Sequence, residues 1–206
     1  MRKILCMLLT GIMVLSAAGC GTKETQVQET ITETSENETK KEGTHVIVDH
    51  AGYEVVVPYE IDRIAVGGIL PLPSVLAVFF DSADKIVGMA PNSMSAAENG
   101  LLGELYPEIL NAETGYINGS DVNLEELMKL DPDVVFYNAS QKEQGDQLRN
   151  AGFAAVAISV NKWEYNSIET LNEWIKLLSK IFPDNEKSEL VANYSKEIYD
   201  MVQGRV

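Results

Sequence analysis

The chain has 206 residues, of which 45% are hydrophobic and 23% charged, and this composition is typical of a globular protein with one domain of ordinary size. Its 31 acidic and 16 basic residues give a formal net charge of -15 at pH 7. Because binding to a phosphate backbone requires a basic surface, this charge excludes nucleic acid as a partner and mainly favours solubility.

Residues 1–19 have the pattern of a lipoprotein signal peptide. Arg2 and Lys3 precede an apolar run over residues 4–18, which is shorter than the roughly 20 residues that a membrane-spanning helix needs. The run ends in small residues followed by Cys20, an ending that resembles a bacterial lipobox. We therefore expect cleavage before Cys20 and lipidation of this cysteine, which would hold the protein on the outer face of the cell membrane. A retained anchor and an unmodified thiol are the alternatives.

Residues 20–43 are predicted to form a disordered tether. The segment is rich in Thr and Glu, and Val27 and Ile31 are its only aliphatic side chains, too few to offset the entropy lost on folding. A flexible chain of this length spans about 25 Å on average, which would let the following domain reorient above a surface.

From residue 44 onward, short apolar runs alternate with helical patterns. β-Branched residues on both sides of Asp49–Gly52 predict a β-hairpin over His45–Val57. Further strands are predicted at residues 63–66, 85–89, 115–117, 134–137 and 153–160, with helical segments between them that begin near residues 71, 95, 123 and 142. This alternation predicts a Rossmann-like, doubly wound α/β lobe with a mainly parallel sheet over residues 44–182.

The stretch Asn123–Tyr137 carries the clearest local signals. Asn123 is placed to cap a helix, and Glu126 is placed to complete a capping box. The residues that recur on one helical face are Leu124, Leu127 and Met128. Pro132 ends the helix because proline lacks an N–H, and an apolar run follows through Tyr137. A strand that is apolar on both faces is typical of a parallel sheet covered by helices on both sides.

Two helical patterns close the chain. The first carries an apolar stripe at Ile168, Leu171, Ile175 and Leu178. The second, over residues 183–206, carries another at Val191, Tyr194, Ile198 and Met201. The second pattern predicts a long helix, because no proline or glycine interrupts it between residues 184 and 203.

Ligands of open parallel sheets bind beyond the carboxyl ends of the strands, and that rule selects a small set of loops. The loops are Gly67–Pro71, Ala90–Met94, Asn118–Asp121, Tyr137–Ser140 and Asn161–Tyr165. Their side chains are polar or aromatic and almost uncharged, which favours binding over bond-making. The candidate ligand-binding residues are Gly68, Ile69, Leu70, Asn92, Tyr137, Asn138, Lys162 and Trp163.

No residue pattern supports catalysis, a resident cofactor or a metal centre. Gly67 and Gly68 precede a helix and could hold an anion on backbone N–H groups, but the spacing of a phosphate-binding loop is missing, so a steric turn is the simpler interpretation. His45 and His50 both lie in the hairpin, so neither is placed for a metal pair or for a Ser-His-Asp relay. Two methionines near the loops could meet a haem iron, but methionine more often fills gaps in a core.

Several motifs occur in an order that is shared with a known protein family. They are the lipobox, the hairpin residues Asp49, Gly52, Val55, Val57 and Pro58, the pair Arg63-Ile64, the strand Lys85-Ile86-Val87-Gly88 and the run from Asn123 to Val135. Together they resemble the substrate-binding lipoproteins of ABC importers for iron-siderophores, haem and cobalamin, and the resemblance covers residues 44–206. It implies the helical-backbone fold, in which two α/β lobes joined by one long helix clasp a metal chelate.

The resemblance also implies partners and roles. In that family an acid on the outer rim of each lobe docks to basic residues of the permease, and the matching position in this chain is Glu125. The expected partners are therefore an ABC permease with its ATPase, a metal-chelate ligand, and the membrane through Cys20. Residues 44–182 match the amino-terminal lobe and residues 183–206 match part of the inter-lobe helix. We accordingly expect an amino-terminal lobe, either truncated or with a separately encoded second lobe.

The expected ligand is a ferric siderophore or another metal complex. Lys162 is the main cation near the loops and no histidine is predicted there, so a ferric siderophore is preferred over haem, and cobalamin stays open. Two other function classes also stay open. One is a non-transport or inactive surface lipoprotein lobe, and the other, disfavoured by the lack of a phosphate loop or a charged catalytic cluster, is an exported nucleotide-binding enzyme.

Overall fold

The computed structural model describes residues 43–183, 185 and 187–204. The predicted signal peptide, the lipidation site Cys20 and all of the predicted tether except Gly43 lie outside the described residues. Within the described part of the chain, no helix combines the length and the apolar character needed to cross a membrane.

Strands and helices alternate along the chain. The strands are β1 (Thr44–Val48), β2 (Glu54–Pro58), β3 (Ile64–Val66), β4 (Ile86–Met89), β5 (Ile117–Asn118), β6 (Asp121–Val122), β7 (Val134–Asn138) and β8 (Ala155–Ile158). The helices are α1 (Leu72–Phe80), α2 (Pro91–Glu98), α3 (Leu101–Leu105), α4 (Leu124–Lys129), α5 (Lys142–Asn150), α6 (Ser167–Ile181) and α7 (Lys187–Gln203), and a 3-10 turn covers Pro107–Asn111.

The main sheet is parallel, with the strand order β4-β3-β7-β8. Successive side chains of β3 enter two different cores. Ile64 and Val66 join a core that includes residues of α1 and α6, whereas Ala65 joins a core that includes Leu127 of α4 and Leu148 of α5. Helices therefore cover both faces of the sheet, and the predicted doubly wound α/β fold is confirmed.

The sequence-based prediction of a fifth strand in this sheet at residues 115–117 is wrong. β5 instead pairs with β6 in a short antiparallel hairpin. Glu113 makes the backbone contact with the edge strand β4, where its N–H donates to Val87 O (2.9 Å) and its O accepts from Met89 N–H (3.0 Å). The chain then turns away because the Tyr116 side chain is buried beneath the sheet, where its hydroxyl donates to Val66 O at 2.7 Å.

The amino-terminal hairpin forms as predicted. β1 and β2 pair antiparallel, with Thr44 opposite Pro58, and alternate side chains such as Ile47 and Val55 enter the core. Asp49 shapes the turn, because its Oδ1 accepts hydrogen bonds from the N–H groups of Ala51 and Tyr53, each at 2.9 Å.

Two helix boundaries differ from the predictions. α2 begins at Pro91, in the middle of the predicted loop Ala90–Met94, because proline fits the first turn of a helix and has no N–H to satisfy there. The predicted closing helix over residues 183–206 is α7, which begins at Lys187.

The predicted apolar stripe of α6 is only partly buried in the core. Ile175 and Leu178 are buried, whereas Ile168 and Leu171 remain exposed.

α4 is capped by Asn123, as predicted. Asn123 Oδ1 accepts hydrogen bonds from the N–H groups of Glu125 (3.1 Å) and Glu126 (3.3 Å). The predicted capping box does not form, because Glu126 Oε1 accepts instead from Lys129 Nζ at 2.6 Å. The predicted apolar face is also narrower than expected, since Leu127 is fully buried but Met128 is 52% exposed.

Candidate functional site

The carboxyl ends of the four parallel strands lie at one edge of the sheet, and the loops that leave them form the candidate site. The sheet hydrogen bonding continues into these loops, since Gly67 N–H donates to Phe136 O at 2.8 Å and Ala139 N–H donates to Ile158 O at 2.9 Å. The short β5–β6 turn joins them through Gln144, whose Nε2 donates to Ser120 O at 2.9 Å. The predicted loops are therefore brought together, including the mostly helical Ala90–Met94, whose Ser93 Oγ donates to Leu70 O at 3.4 Å.

The predicted ligand-binding residues differ in what they expose. Gly68, Leu70, Asn92 and Lys162 are exposed, and Asn138 and Trp163 are half-buried. Ile69 and Tyr137 are each only 1% exposed. These two side chains present almost no surface in this structure, and their contact with a solute stays a prediction.

Tyr137 faces helix α5 instead of the loop edge. Its hydroxyl accepts a hydrogen bond from Arg149 Nη1 at 2.8 Å, and its ring packs directly against the backbone of Gly145. Burial raises the pKa of Tyr137, and the Arg149 guanidinium opposes that rise. Arg149 in turn stacks over the ring of Tyr53 at 3.9 Å, so the cluster ties the hairpin to the lobe.

The loop of residues 159–166, here called the β8 exit loop, is held in a specific shape. Trp174 Nε1 donates to Ser159 O at 2.6 Å, and Lys162 N–H donates to Ser159 Oγ at 3.1 Å. Glu164 (φ 53°) and Tyr165 (φ 60°) are consecutive left-handed residues, a conformation that is unfavourable for side chains of their size. Such strain persists only where surrounding contacts enforce it, and it concentrates at functional loops.

His50 contacts this loop, which the sequence analysis did not anticipate because the hairpin precedes the lobe in sequence. His50 Nδ1 accepts from Ser159 N–H at 3.1 Å, and Nε2 lies 3.3 Å from Glu173 O. These contacts fit a neutral ring protonated on Nε2. Burial is the main factor that lowers the pKa of His50; the Lys162 ammonium also lowers it, while the hydrogen bond to Glu173 O and the negative charges of Glu173 and Asp49 act in the opposite direction.

Lys162 and Trp163 contact the same histidine. Lys162 Nζ donates to His50 O at 3.0 Å, and the Trp163 ring meets the His50 ring edge-on with centroids 4.9 Å apart. The cation that the sequence analysis assigned to a ligand is therefore already engaged with the hairpin turn, although its side chain remains exposed.

Gly67 is required for close packing. A Cβ at this position would lie 3.2 Å from Phe136 O and 3.5 Å from Gln144 Oε1, so the steric interpretation of Gly67 is the one that the structure supports. Gln144 is 8% exposed, and its Oε1 accepts no hydrogen bond from any described residue. Gly68, by contrast, has open space beside it, with Gln141 Oε1 at 3.7 Å from the position of a Cβ.

A pocket of about 330 Å³ opens beside the β8 exit loop, between the starts of α1 and α6. We call it the α1–α6 pocket; it is lined by Pro71, Val75, Val160, Tyr165, Ser167, Thr170, Leu171 and Trp174. The predicted loops include those that carry Pro71 and Tyr165, whereas the helical residues of the lining were not predicted. Of these helical residues, Leu171 was predicted to lie in the apolar stripe of α6 that enters the core. In the structure it is partly exposed and lines the pocket instead.

The described residues hold no group of three or more His, Cys, Asp or Glu side chains that could bind a metal ion. Glu125, predicted to dock to a permease, is exposed in the first turn of α4 and is not among the residues that line the α1–α6 pocket.

Comparison with known proteins identifies relatives of one kind. No family model matches the chain. The molybdate-binding protein MolA of Haemophilus influenzae is 32% identical over 151 residues, which make up 71% of this chain and 42% of that protein. The solved structure of a periplasmic solute binding protein from Veillonella parvula shares 31% sequence identity, with a TM-score of 0.69, over 78% of this chain and 48% of that chain.

Other solved structures extend the likeness. MolA bound to molybdate matches with a TM-score of 0.57 and 25% identity over 70% of this chain and 48% of that chain. The heme binding protein HmuT, at 22% identity and a TM-score of 0.56 over 79% of this chain and 50% of that chain, shares the fold. The chain thus spans about half the length of the relatives it matches. The predicted resemblance to the binding proteins of ABC importers is confirmed.

Proposed function

We propose that this chain, which shares its fold and part of its sequence with periplasmic solute-binding proteins, is a solute-binding component of an ABC importer. The observation that carries the proposal is the match to the Veillonella parvula periplasmic protein, at 31% identity over 78% of the chain. The strand-end loops, with the α1–α6 pocket beside them, supply the surface on which the solute binds. A second lobe, as the resemblance implies, would supply the opposite surface.

The solute that we propose is a metal chelate, with a ferric siderophore preferred over haem or cobalamin. His50 contacts the β8 exit loop, which the sequence did not predict, but both of its ring nitrogens already have protein partners, so it offers no free nitrogen to a haem iron. The related proteins do not select one ligand, since MolA is a molybdate-binding protein and HmuT binds heme. A bare oxyanion would need several hydrogen-bond donors or cations, and Lys162, which already donates one hydrogen bond to His50 O, is the one cation among the predicted ligand-binding residues. An organic chelate offers apolar surface that the α1–α6 pocket can cover.

We further propose that the protein is exported and anchored through lipid on Cys20. Residues 20–43 would then tether the lobe to the outer face of the cell membrane, with a reach of about 25 Å. Glu125 would dock to basic residues of the permease, and the permease would act with its ATPase. These proposals rest on the lipobox pattern and on the resemblance described above.

The test is a titration of the purified protein with a ferric siderophore, haem, cobalamin and molybdate. Trp163 lies in the β8 exit loop and Trp174 contacts that loop from α6, so their fluorescence should change on binding. We expect a saturable change with one metal chelate and none with molybdate. A Trp163→Phe variant isolates the signal of Trp174 and serves as the matched control for local quenching.

Flat titrations with all four solutes would contradict the proposal, provided that circular dichroism shows a folded protein. That result would favour a non-transport surface lobe instead. Saturation by molybdate alone would support a solute-binding function but contradict the proposal that the solute is a metal chelate.

A further inference from the structure

The dipeptide Asn-Gly occurs at two places in the chain, Asn99-Gly100 and Asn118-Gly119. This dipeptide is chemically labile, because glycine has no Cβ to shield its backbone nitrogen from the carboxamide carbon of the preceding asparagine. Both asparagines are exposed, so access to water does not distinguish them. A difference in reactivity between the two pairs must come from hydrogen bonding and backbone conformation.

The Asn99-Gly100 pair is held by hydrogen bonds at the end of α2. Asn99 Nδ2 donates to Ser95 O at 2.8 Å. Gly100 N–H donates to Ala97 O at 3.4 Å. The carboxamide and the backbone nitrogen are thus both engaged, and these bonds must break before the two groups can react with each other.

The Asn118-Gly119 pair lies in the short turn between β5 and β6 and is not held in this way. Among the hydrogen bonds of the described residues, none involves the Asn118 carboxamide or the Gly119 N–H. Gly119 has a φ of 63°, which suits the first central position of a two-residue hairpin turn. No described atom outside its chain neighbours lies within 4 Å of the place that a Cβ of Gly119 would take, so the pair has open space around it.

We propose that Asn118 is a site of spontaneous deamidation and that the fold protects Asn99. The Gly119 nitrogen attacks Cγ of Asn118 and closes a succinimide ring, and its proton leaves with the carboxamide NH2 group as ammonia. Water then adds to either carbonyl carbon of the ring, which opens to aspartate or isoaspartate at position 118. The net reaction consumes one water and replaces a neutral amide by a carboxylate.

The new carboxylate would weaken the turn that carries it. Asn118 is directly opposite Asp121 in the β5–β6 pairing, and like charges at opposing positions destabilise a strand pair. Isoaspartate also adds a methylene to the backbone of a hairpin that is held by two residue pairs. Ser120 O, the acceptor of Gln144 Nε2, lies in this turn, so deamidation should loosen the contact between the turn and α5.

The experiment ages the purified protein at neutral pH and compares both asparagines in one peptide. Trypsin releases residues 86–129 as a single fragment, because no lysine or arginine lies between Lys85 and Lys129. Tandem mass spectrometry locates the modified residue in this fragment, and isoaspartyl methyltransferase labels the isoaspartate. Asn118 should react at least about tenfold faster than Asn99, the factor expected where hydrogen bonds must first break. Equal rates, or no reaction at Asn118, would overturn the proposal.

Unfolding the protein in urea provides the matched control. Without the hydrogen bonds at the end of α2, Asn99 should react at nearly the rate of Asn118. A difference that persisted in urea would show that the flanking sequence, and not the fold, protects Asn99. Asn118→Gln lengthens the side chain and disfavours ring closure, so it should abolish the reaction at position 118 and leave Asn99 unchanged.

The loosening of the turn has a separate readout. The side-chain amide signals of Gln144 in nuclear magnetic resonance spectra should shift in the aged protein, and Asn118→Asp should reproduce the part of the shift that is due to charge. Unchanged Gln144 signals in fully deamidated protein would overturn this consequence. Neither measurement needs a bound solute, so the result does not depend on the proposed function.

Discussion

A single residue, His50, joins the hairpin, the sheet and the β8 exit loop through its backbone and its ring. Its backbone N–H donates to Ala157 O at 3.2 Å, while Asp49 Oδ2 accepts from Ala157 N–H at 3.0 Å. The ring then accepts from Ser159 N–H. These bonds cover the free edge of β8, which would otherwise present unpaired backbone groups to another strand. The turn residues therefore protect the sheet and also position the loop beside the α1–α6 pocket.

Because the pKa of His50 is lowered in the folded protein, stability should depend on pH. Above its unfolded value of 6.5 the ring is neutral in both states, and this contribution is fully present. As the pH falls below 6.5 toward the lowered folded pKa, the unfolded chain takes up a proton that the native ring does not accept, so the free energy of unfolding decreases.

Urea unfolding at pH 7.5, 6.5 and 5.5 measures this effect. The wild type should lose stability over that range more steeply than His50→Gln, in which the titrating ring is gone. If the free energy of unfolding changes with pH equally in the wild type and in His50→Gln, the effect does not come from His50.

Individual residues also mark the limit of what the sequence could predict. The end of β7 was located correctly, and with it the edge of the sheet that carries the strand-end loops. Which of its last residues faces a solute was not predictable, because the burial of Tyr137 depends on Gly145, whose missing side chain makes room for the ring. No local pattern near Tyr137 carries that information.

At the scale of elements, local signals predicted helices and strands better than they predicted pairing. Asn123 caps α4, and Pro132 follows its end, where Arg63 Nη2 donates to Leu130 O at 2.6 Å. The run at residues 115–117 had the composition of a strand, yet the side chain of Tyr116 packs below the sheet and takes the backbone away from β4. The α1–α6 pocket arises between two helices that are nearly a hundred residues apart, and periodicity in either helix could not predict it.

Packing of α5 on β7 gives a prediction at the scale of elements, for Gly145→Ala. A Cβ at Gly145 would overlap the ring of Tyr137, and the ring cannot move freely because its hydroxyl is bonded to Arg149. We expect a loss of about 1–3 kcal/mol in the free energy of unfolding, as for other overpacked cores. Gly115→Ala is the matched control, since nothing lies within 4 Å of a Cβ there. Denaturant unfolding of the two variants checks the difference, and equal stability would show that the core accommodates the methyl group.

For the molecule as a whole, the fold places the proposed solute surface and the proposed docking residue on different elements. The strand-end loops and the α1–α6 pocket form the proposed solute surface, while Glu125 is exposed on α4. The strongly acidic chain, with its formal charge of -15, is suited to a basic permease surface. Such a charge guides association, but it does not by itself identify the docking site. The proposed docking site rests on one acidic residue, Glu125.

Charge reversal at Glu125 tests whether docking and solute binding are separable. Glu125→Lys should reduce uptake of an iron-loaded siderophore by cells, because a like charge placed against basic permease residues is repelled. The solute affinity of the purified variant should be unchanged, since Glu125 lies outside the α1–α6 pocket lining. Glu104→Lys makes the same change in charge on α3, where the acid is also exposed, and it should leave uptake intact. Equal uptake by Glu125→Lys and the wild type would contradict the docking role, and an equal loss in both variants would assign the effect to net charge alone.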